Sequence, residues 1–343
     1  MKEEVVNAML DELKMRVSYL DGEPISSIYF GGGTPSLLEE GDLSRFFEAI
    51  YRHFDVKASV EITLEANPDD LSPEKLAILA ASPVNRLSIG VQSFHEAELL
   101  WMNRAHSSEE SWKCLNTAKE AGFDNISMDL IFGIPMSSHE LWQENLKRTI
   151  DLGIPHISSY ALTVEEGTAL GHWVKKGREK EAKDEFVMEQ FDMGVNALEA
   201  AGYVHYEISN FALPGREAVH NSNYWRSKPY LGIGPSAHSF DIASRTMNVA
   251  NNARYVKAIK EGQSFSETEV LSGETKYNEY VMTRMRTIWG VDERDLGDFK
   301  EDFHKQVAAL IKNGWVEEED GIYRLTPIGK HYADAVAAEL FSA

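Results

Sequence analysis

Cysteine is almost missing from this chain: Cys114 is the single one in 343 residues. One sulfur excludes an intrachain disulfide, a zinc site built from cysteines and an iron–sulfur cluster held by this chain alone, because each needs several. Basic charge is also scarce, with 34 Lys and Arg against 55 Asp and Glu for a net charge of −21. Such a surface repels nucleic-acid phosphate unless its cations are gathered in one place. The densest basic stretch, 175–183, is interleaved with Glu179 and Glu181 and reads as a solvated helix face. No nucleic-acid partner is therefore expected. No apolar run is long enough to span a bilayer. The acidic start, Met1-Lys2-Glu3-Glu4, lacks the basic-then-apolar profile of a secretory signal. The expectation is a cytoplasmic protein with no transmembrane segment, peripheral membrane contact being left open.

What is present is enough apolar material, 43% of the residues, to bury one large core and a smaller one. Helical spacing of Val6, Met9, Leu10, Leu13 and Val17 predicts an opening helix over Val5–Tyr19, stopped by Asp21-Gly22. Short β-rich runs then alternate with helical stretches. The strands are expected at Ile25–Phe30, Ser59–Leu64, Arg86–Ile89, Asn125–Leu130, His156–Ala161 and Val204–Ile208. The helices fall at Gly41–Tyr51, Ser72–Ala81, His95–Arg104, Ser108–Ala121, Leu141–Leu152 and Ala182–Ala200. This alternation predicts an α/β fold with a parallel sheet and helical crossovers. Polar or glycine-rich groups follow nearly every strand, as on the rim of an α/β barrel where ligands sit.

Residues 213–270, with the glycine- and aromatic-rich stretch Pro214–Phe240, lack clear periodicity and read as an ordered loop or short-strand insert. From about Leu271 the pattern is helix (Lys276–Ile288), helix (Asp292–Phe299), helix (Phe303–Asn313), a hairpin around Asp320-Gly321 and a final helix (Pro327–Leu340). Three helices and a wing suggest a winged-helix-like α+β domain. The expected organisation is thus a barrel-like domain over 1–212, the insert over 213–270, and the winged domain over 271–343.

Several strand ends carry candidate chemistry. Gly31-Gly32-Gly33-Thr34-Pro35-Ser36 brings glycines directly after a strand, where backbone N–H groups can meet polar ligand atoms; a tight turn is the plainer reading. Glu65, in Leu64-Glu65-Ala66-Asn67-Pro68, can accept hydrogen bonds from ribose hydroxyls or an ammonium group, or merely cap a turn. Gln92 and Asp129 occupy equivalent strand ends. Arg104 fits either a surface cation at a helix C-terminus or a ligand for a carboxylate. His220-Asn221-Ser222-Asn223-Tyr224-Trp225 concentrates an imidazole, amides and aromatic faces. These groups suit ligation of heme iron and packing on a porphyrin, or else a structural plug with His220 as a core histidine. Cys114, between Trp112 and Leu115 on an amphipathic helix, reads as a small packing residue.

In order along the chain, these blocks resemble the oxygen-independent coproporphyrinogen III oxidase-like radical S-adenosylmethionine (SAM) proteins, and within them the HemW-type heme chaperones. The resemblance rests on Gly31–Ser36, Leu64–Pro68, Arg86–Phe94, Asn103–His106, Asp129–Pro135, Tyr206–Ala212 and the HNxxYW block at His220–Trp225. It implies an α/β fold: a partial (β/α) radical-SAM barrel missing its first strand, with the winged-helix-like domain after it. It implies SAM contacts from Gly32, Gly33, Thr34, Glu65, Gln92, Arg104, Asp129 and Ala161. Heme would be bound by His220, Asn221, Tyr224 and Trp225, with His220 on the iron and heme-accepting proteins as partners. The runners-up are a coproporphyrinogen III dehydrogenase of porphyrin biosynthesis, which the HNxxYW block disfavours, and a non-catalytic binding module.

One departure is large. Members of the family carry CxxxCxxC after the first barrel strand to hold a [4Fe–4S] cluster, and this chain has none. The expectation is that the chain as given starts downstream of that segment, as a shortened form, a misassigned start or a degenerate paralogue. SAM binding should then be weakened or lost, SAM cleavage should not occur, and the edge of strand Ile25–Phe30 should be left open.

Overall fold

The computed structural model describes residues 1–342. Its elements run α1 (Lys2–Met15), β1 (Ile25–Phe30), α2 (Glu40–His53), β2 (Val56–Ala66), α3 (Pro73–Ala81), β3 (Arg86–Gln92), α4 (Glu96–Trp101) and α5 (Ser108–Glu120). Next come β4 (Ile126–Phe132), α6 (His139–Leu152), β5 (His156–Ala161), α7 (Ala169–Lys175), α8 (Asp184–Ala200), β6 (Val204–Glu207) and β7 (Asn210–Ala212). These strands form one seven-stranded sheet in the order β1-β2-β3-β4-β5-β7-β6, with β1 terminal.

The parallel pairing expected from the alternation holds for β2 with β3, β3 with β4, and β4 with β5. Apolar residues alternate along the central strands, so Leu87, Ile89 and Val91 on β3 and Met128 and Leu130 on β4 are buried on one face of the sheet, while the positions between them carry Ser88, Gly90 and Asp129. The covering helices start at serine caps: Ser72, Ser107 and Ser138 accept from the backbone N–H of Lys75, Glu110 and Leu141. Each such cap stabilises its helix by about 1 kcal/mol. The expected strand at Val204–Ile208 departs from the pattern. β6 turns back through Ile208-Ser209 into β7, which pairs antiparallel with both β5 and β6. A hairpin thus takes the place of a helical crossover.

Contacts group the chain into two compact units, one of Tyr29–Leu37 with Ile62–Ala218, the other of Met1–Ile28 with Leu38–Glu61 and Val219–Ala343. Residues 213–270, of which those from Val219 on belong to the second unit, are more regular than expected. They contain helix α9 (Val219–Trp225), strands β8 (His238–Phe240) and β9 (Ser244–Asn248), helix α10 (Asn252–Glu261) and strand β10 (Ser266–Val270). The three strands form an antiparallel sheet in the order β10-β9-β8. The buried carboxylate of Glu12, on α1, ties this region together. It accepts from Gly234 N (2.8 Å), Asn248 Nδ2 (2.7 Å) and the Tyr255 hydroxyl (2.5 Å), and pairs with Arg16 Nε (3.2 Å).

The C-terminal part contains α11 (Gly273–Met285), β11 (Val291–Asp292), α12 (Lys300–Lys312), β12 (Val316–Glu319), β13 (Ile322–Leu325) and α13 (Ala333–Glu339). The wing forms as expected, with left-handed Asp320 (φ 53°) and Gly321 (φ 77°) supplying the hairpin turn. The helix expected over Asp292–Phe299 does not form. Two short 3₁₀ turns, Glu293–Asp295 and Gly297–Phe299, replace it, separated by Leu296. No helix among the described residues is long and apolar enough to cross a membrane.

Candidate functional site

Within the unit containing most of the parallel strands, β1 runs out against Glu65 on β2. A Cβ placed on Gly31 would lie 2.5 Å from Tyr29 Cε1 and 2.8 Å from Glu65 Cδ, so any larger residue there would displace these two side chains. That closeness lets the Tyr29 hydroxyl donate to Glu65 Oε1 at 2.6 Å, while Gly32 N, at φ 80°, donates to Oε2 at 3.2 Å. Each carboxylate oxygen is held by one donor and keeps acceptor capacity for a ligand hydroxyl. Burial, and then the neighbouring Glu65 charge, push the Tyr29 phenol well above its ordinary range. It therefore stays a donor. Gly33 and Thr34 follow on an exposed turn, where Leu37 N closes on Thr34 O at 3.1 Å.

The end of β3 is irregular. Its register with β4 shifts between Ile89 and Gln92, and Gln92 takes a left-handed φ of 68°. A non-glycine residue in that region carries strain, and such strain clusters at functional sites. A Cβ on Gly90 would meet Gln92 Nε2 at 2.9 Å and Arg104 Nη2 at 3.3 Å, which shows how closely these two candidates approach one backbone position. Arg104 Nη2 donates to Asn67 Oδ1 at 2.9 Å and reaches Gly90 O at 3.5 Å. The expected helix His95–Arg104 stops early: α4 ends at Trp101, and Asn103 (φ 56°) turns the chain so that Arg104 lies beyond the helix. The surface-cation reading of Arg104 is thereby replaced by a half-buried guanidinium bonded across to Asn67.

Asp129, in the middle of β4, faces Ser158 and Tyr160 on β5. Burial, opposed by a Ser158 hydrogen bond and reinforced by the Glu65 charge, pushes its carboxyl up to about 6. The Tyr160 phenol is raised to about 12, by burial and then by Asp129. Ala161 ends β5 and is exposed, with Thr163 Oγ1 3.4 Å from its carbonyl. The charges of Glu65 and Arg104 both act on Asp129. Gly32, Glu65, Gln92, Arg104 and Asp129 therefore belong to one neighbourhood. Tyr29, Asn67 and Gly90 are the members that the sequence reading did not single out; only their place in the strand-end blocks could have flagged them.

The HNxxYW block lies in the other unit, and on helix α9 rather than in a loop. The buried Glu61 carboxylate holds the start of this helix, accepting from Val219 N (3.1 Å) and His220 N (2.9 Å). The His220 ring meets Ser27 Oγ through Nδ1 at 3.0 Å. Four residues on, and so on the same helix face, Tyr224 contacts the imidazole edge-on with ring centroids 5.0 Å apart. Tyr224 in turn stacks edge-on with Tyr230 at 4.5 Å, and burial raises its phenol to about 12. Asn221 is half-buried, and Trp225 lies under the Arg286 guanidinium at 5.7 Å. His220 and Tyr224 are thus brought together, whereas Asn221 and Trp225 occupy other positions around the helix. Ser27 and Glu61, the supports of His220, were not foreseen.

A cluster of iron and sulfide does not fit these residues. Cys114 is buried on α5 with its thiol pushed up to about 12, and no group of three or more His, Cys, Asp or Glu among the described residues is placed to hold a metal ion. The donor chemistry does suit SAM: fixed acceptors for ribose hydroxyls, a guanidinium for a carboxylate, and negative charge for a sulfonium and an ammonium.

The Radical SAM superfamily profile matches residues 4–161, and the HemN C-terminal domain matches 271–330. The solved coproporphyrinogen III oxidase (HemN) of Escherichia coli superposes with a TM-score of 0.85 over 99% of this chain and 83% of that one, at 23% identity. The fold is therefore that of a radical SAM protein, with a half-barrel sheet and its helices. Heme chaperone HemW of Lactococcus lactis subsp. lactis is 34% identical over 311 residues, 89% of this chain and 82% of its own. Heme chaperone HemW of Bacillus subtilis is 32% identical over 96% of this chain and 88% of its own, and that of Escherichia coli 30% over 99% and 90%. The chain belongs to the HemW family.

Proposed function

We propose that the protein is a heme chaperone, binding heme at the His220 imidazole and passing it to heme-accepting proteins, with a cytoplasmic site of action. The observation that carries this reading is the held histidine. His220 sits at the start of α9, its backbone fixed by Glu61 and its Nδ1 by Ser27, so an axial bond to iron would be made by Nε2. Tyr224 and Trp225 would supply aromatic faces for the macrocycle, with Asn221 beside them. The curated relatives that are called heme chaperones support the same reading.

SAM contacts are assigned to the other unit: Glu65 to the ribose hydroxyls, Arg104 to the methionine carboxylate, Gly32 and Gly33 to the amino-group side, with Thr34, Gln92, Asp129 and Ala161 around them. When bound to a reduced [4Fe–4S] cluster, SAM supplies a 5′-deoxyadenosyl radical. These residues include no cluster ligands, and the proposed function rests on heme binding alone.

The test is a hemin titration of the full chain, run beside an assay for decarboxylation of coproporphyrinogen III. A saturable Soret band without decarboxylation is expected. Decarboxylation without heme binding would favour the dehydrogenase alternative and overturn the chaperone.

A further inference from the structure

Resting on the heme-binding reading above, we infer that Ser27 is the positioning residue of the His220 ligand, setting how strongly the imidazole donates to iron. Ser27 lies on β1, 193 residues away in sequence, yet its Oγ is 3.0 Å from His220 Nδ1. The backbone of His220 is fixed independently, since Glu61 Oε1 accepts from its N–H at 2.9 Å. With the chain anchored there and one ring nitrogen engaged by Ser27, the imidazole plane is set from two directions. Asn223, one turn further along α9, donates from Nδ2 to Ser26 Oγ at 3.2 Å and reaches Ser27 Oγ at 3.5 Å. That steadies the hydroxyl pair in turn.

The chemistry of a hydroxyl suits this task. It can donate to Nδ1 when the neutral imidazole carries its proton on Nε2, and accept from Nδ1–H when the proton is there. Bonding iron through Nε2 requires the second tautomer. Ser27 can therefore serve the empty and the loaded ring by rotating one O–H bond, with no heavy atom displaced. A carboxylate in its place could only accept, would favour the iron-binding tautomer permanently and would push the ring toward imidazolate. A serine gives a weaker, reversible ligand, which suits a protein that has to release what it binds.

The experiment compares hemin-loaded full-length wild type with Ser27→Ala, Ser27→Thr and Ser27→Asp. It reads hemin affinity, the iron–histidine stretching band of the ferrous complex by resonance Raman, and the heme reduction potential. Loss of a partner beside a metal ligand weakens metal binding about 10- to 100-fold, and the lower end is expected for Ser27→Ala. Its stretching band should move to lower frequency and its potential to more positive values. Ser27→Asp should shift both in the opposite direction, and Ser27→Thr should restore wild-type values. A role in stability alone would lower affinity without this ordered pair of shifts. If His220→Ala removes the heme band while all three Ser27 variants keep the wild-type stretch and potential, the inference is wrong and the chaperone reading stands. If the wild type shows no His220-dependent band, both fall together.

Discussion

Replacing Tyr29 by Phe removes one hydroxyl from beneath Glu65 and changes little else. The deleted bond, 2.6 Å to Oε1, helps orient the carboxylate together with the one from Gly32 N at 3.2 Å. Hydrogen bonds to charged groups contribute about 1.5–3 kcal/mol. Glu65 is only half-buried and keeps its second donor, so the lower figure applies. If orientation of Glu65 is what meets the ribose, a loss of about 1.4 kcal/mol corresponds to a roughly tenfold rise in the SAM dissociation constant. Equilibrium dialysis should be run with SAM and with its 2′-deoxyribose analogue. Wild type should discriminate between the two, and Tyr29→Phe should lose most of that discrimination. Gly31→Ala should do the same by a different route, because its Cβ would overlap both Tyr29 and Glu65. Equal discrimination in wild type and both variants, with folding intact by circular dichroism, would refute the assignment of Glu65.

Asp129 carries a pH signature. Its carboxyl lies at about 6 in the folded chain against 3.8 for an ordinary aspartate, so the folded state favours the protonated form. Its contribution to stability is therefore fully present below about pH 4, falls as the pH rises through about 6, and stays flat above. Relative to Asp129→Asn, the wild-type urea midpoint should decline across that window; parallel profiles would contradict the raised value. Cys114, buried with its thiol at about 12, should resist a thiol-specific chromogenic reagent in the native state and react fully once unfolded. Rapid native labelling would show that the thiol is more accessible than its burial implies.

Strands and glycines were the legible part of this molecule. β1 and β5 fall on the residues expected of them, since a short β-rich run with a glycine or polar end is marked by local composition. Part of the shared rim was readable for the same reason, since Gly32, Glu65 and Gln92 each follow or close a strand, whereas Asp129, expected at a strand end, lies in the middle of β4. What escaped were features set by distant partners. Helix α9 has seven residues, too few to be stable by propensity, and depends on Glu61, more than 150 residues earlier, to hold its first turn. The β6–β7 hairpin was hidden because β7 has only three residues. The left-handed Gln92 results from a register shift against β4, which no local pattern announces. Arg104 was ambiguous until Asn67 and Gly90 were placed beside it.

The central claim, that His220 is the ligand through which this chain holds heme, is met most directly by titrating hemin into wild type and His220→Ala and following the Soret band. Glu61 and Ser27 remain in place in the variant, so α9 should keep its anchor at Val219 N and the fold should be undisturbed. The account predicts a saturable band in wild type that is lost, or shifted to that of unligated hemin, in His220→Ala. Identical bands of equal affinity in the two proteins would contradict it.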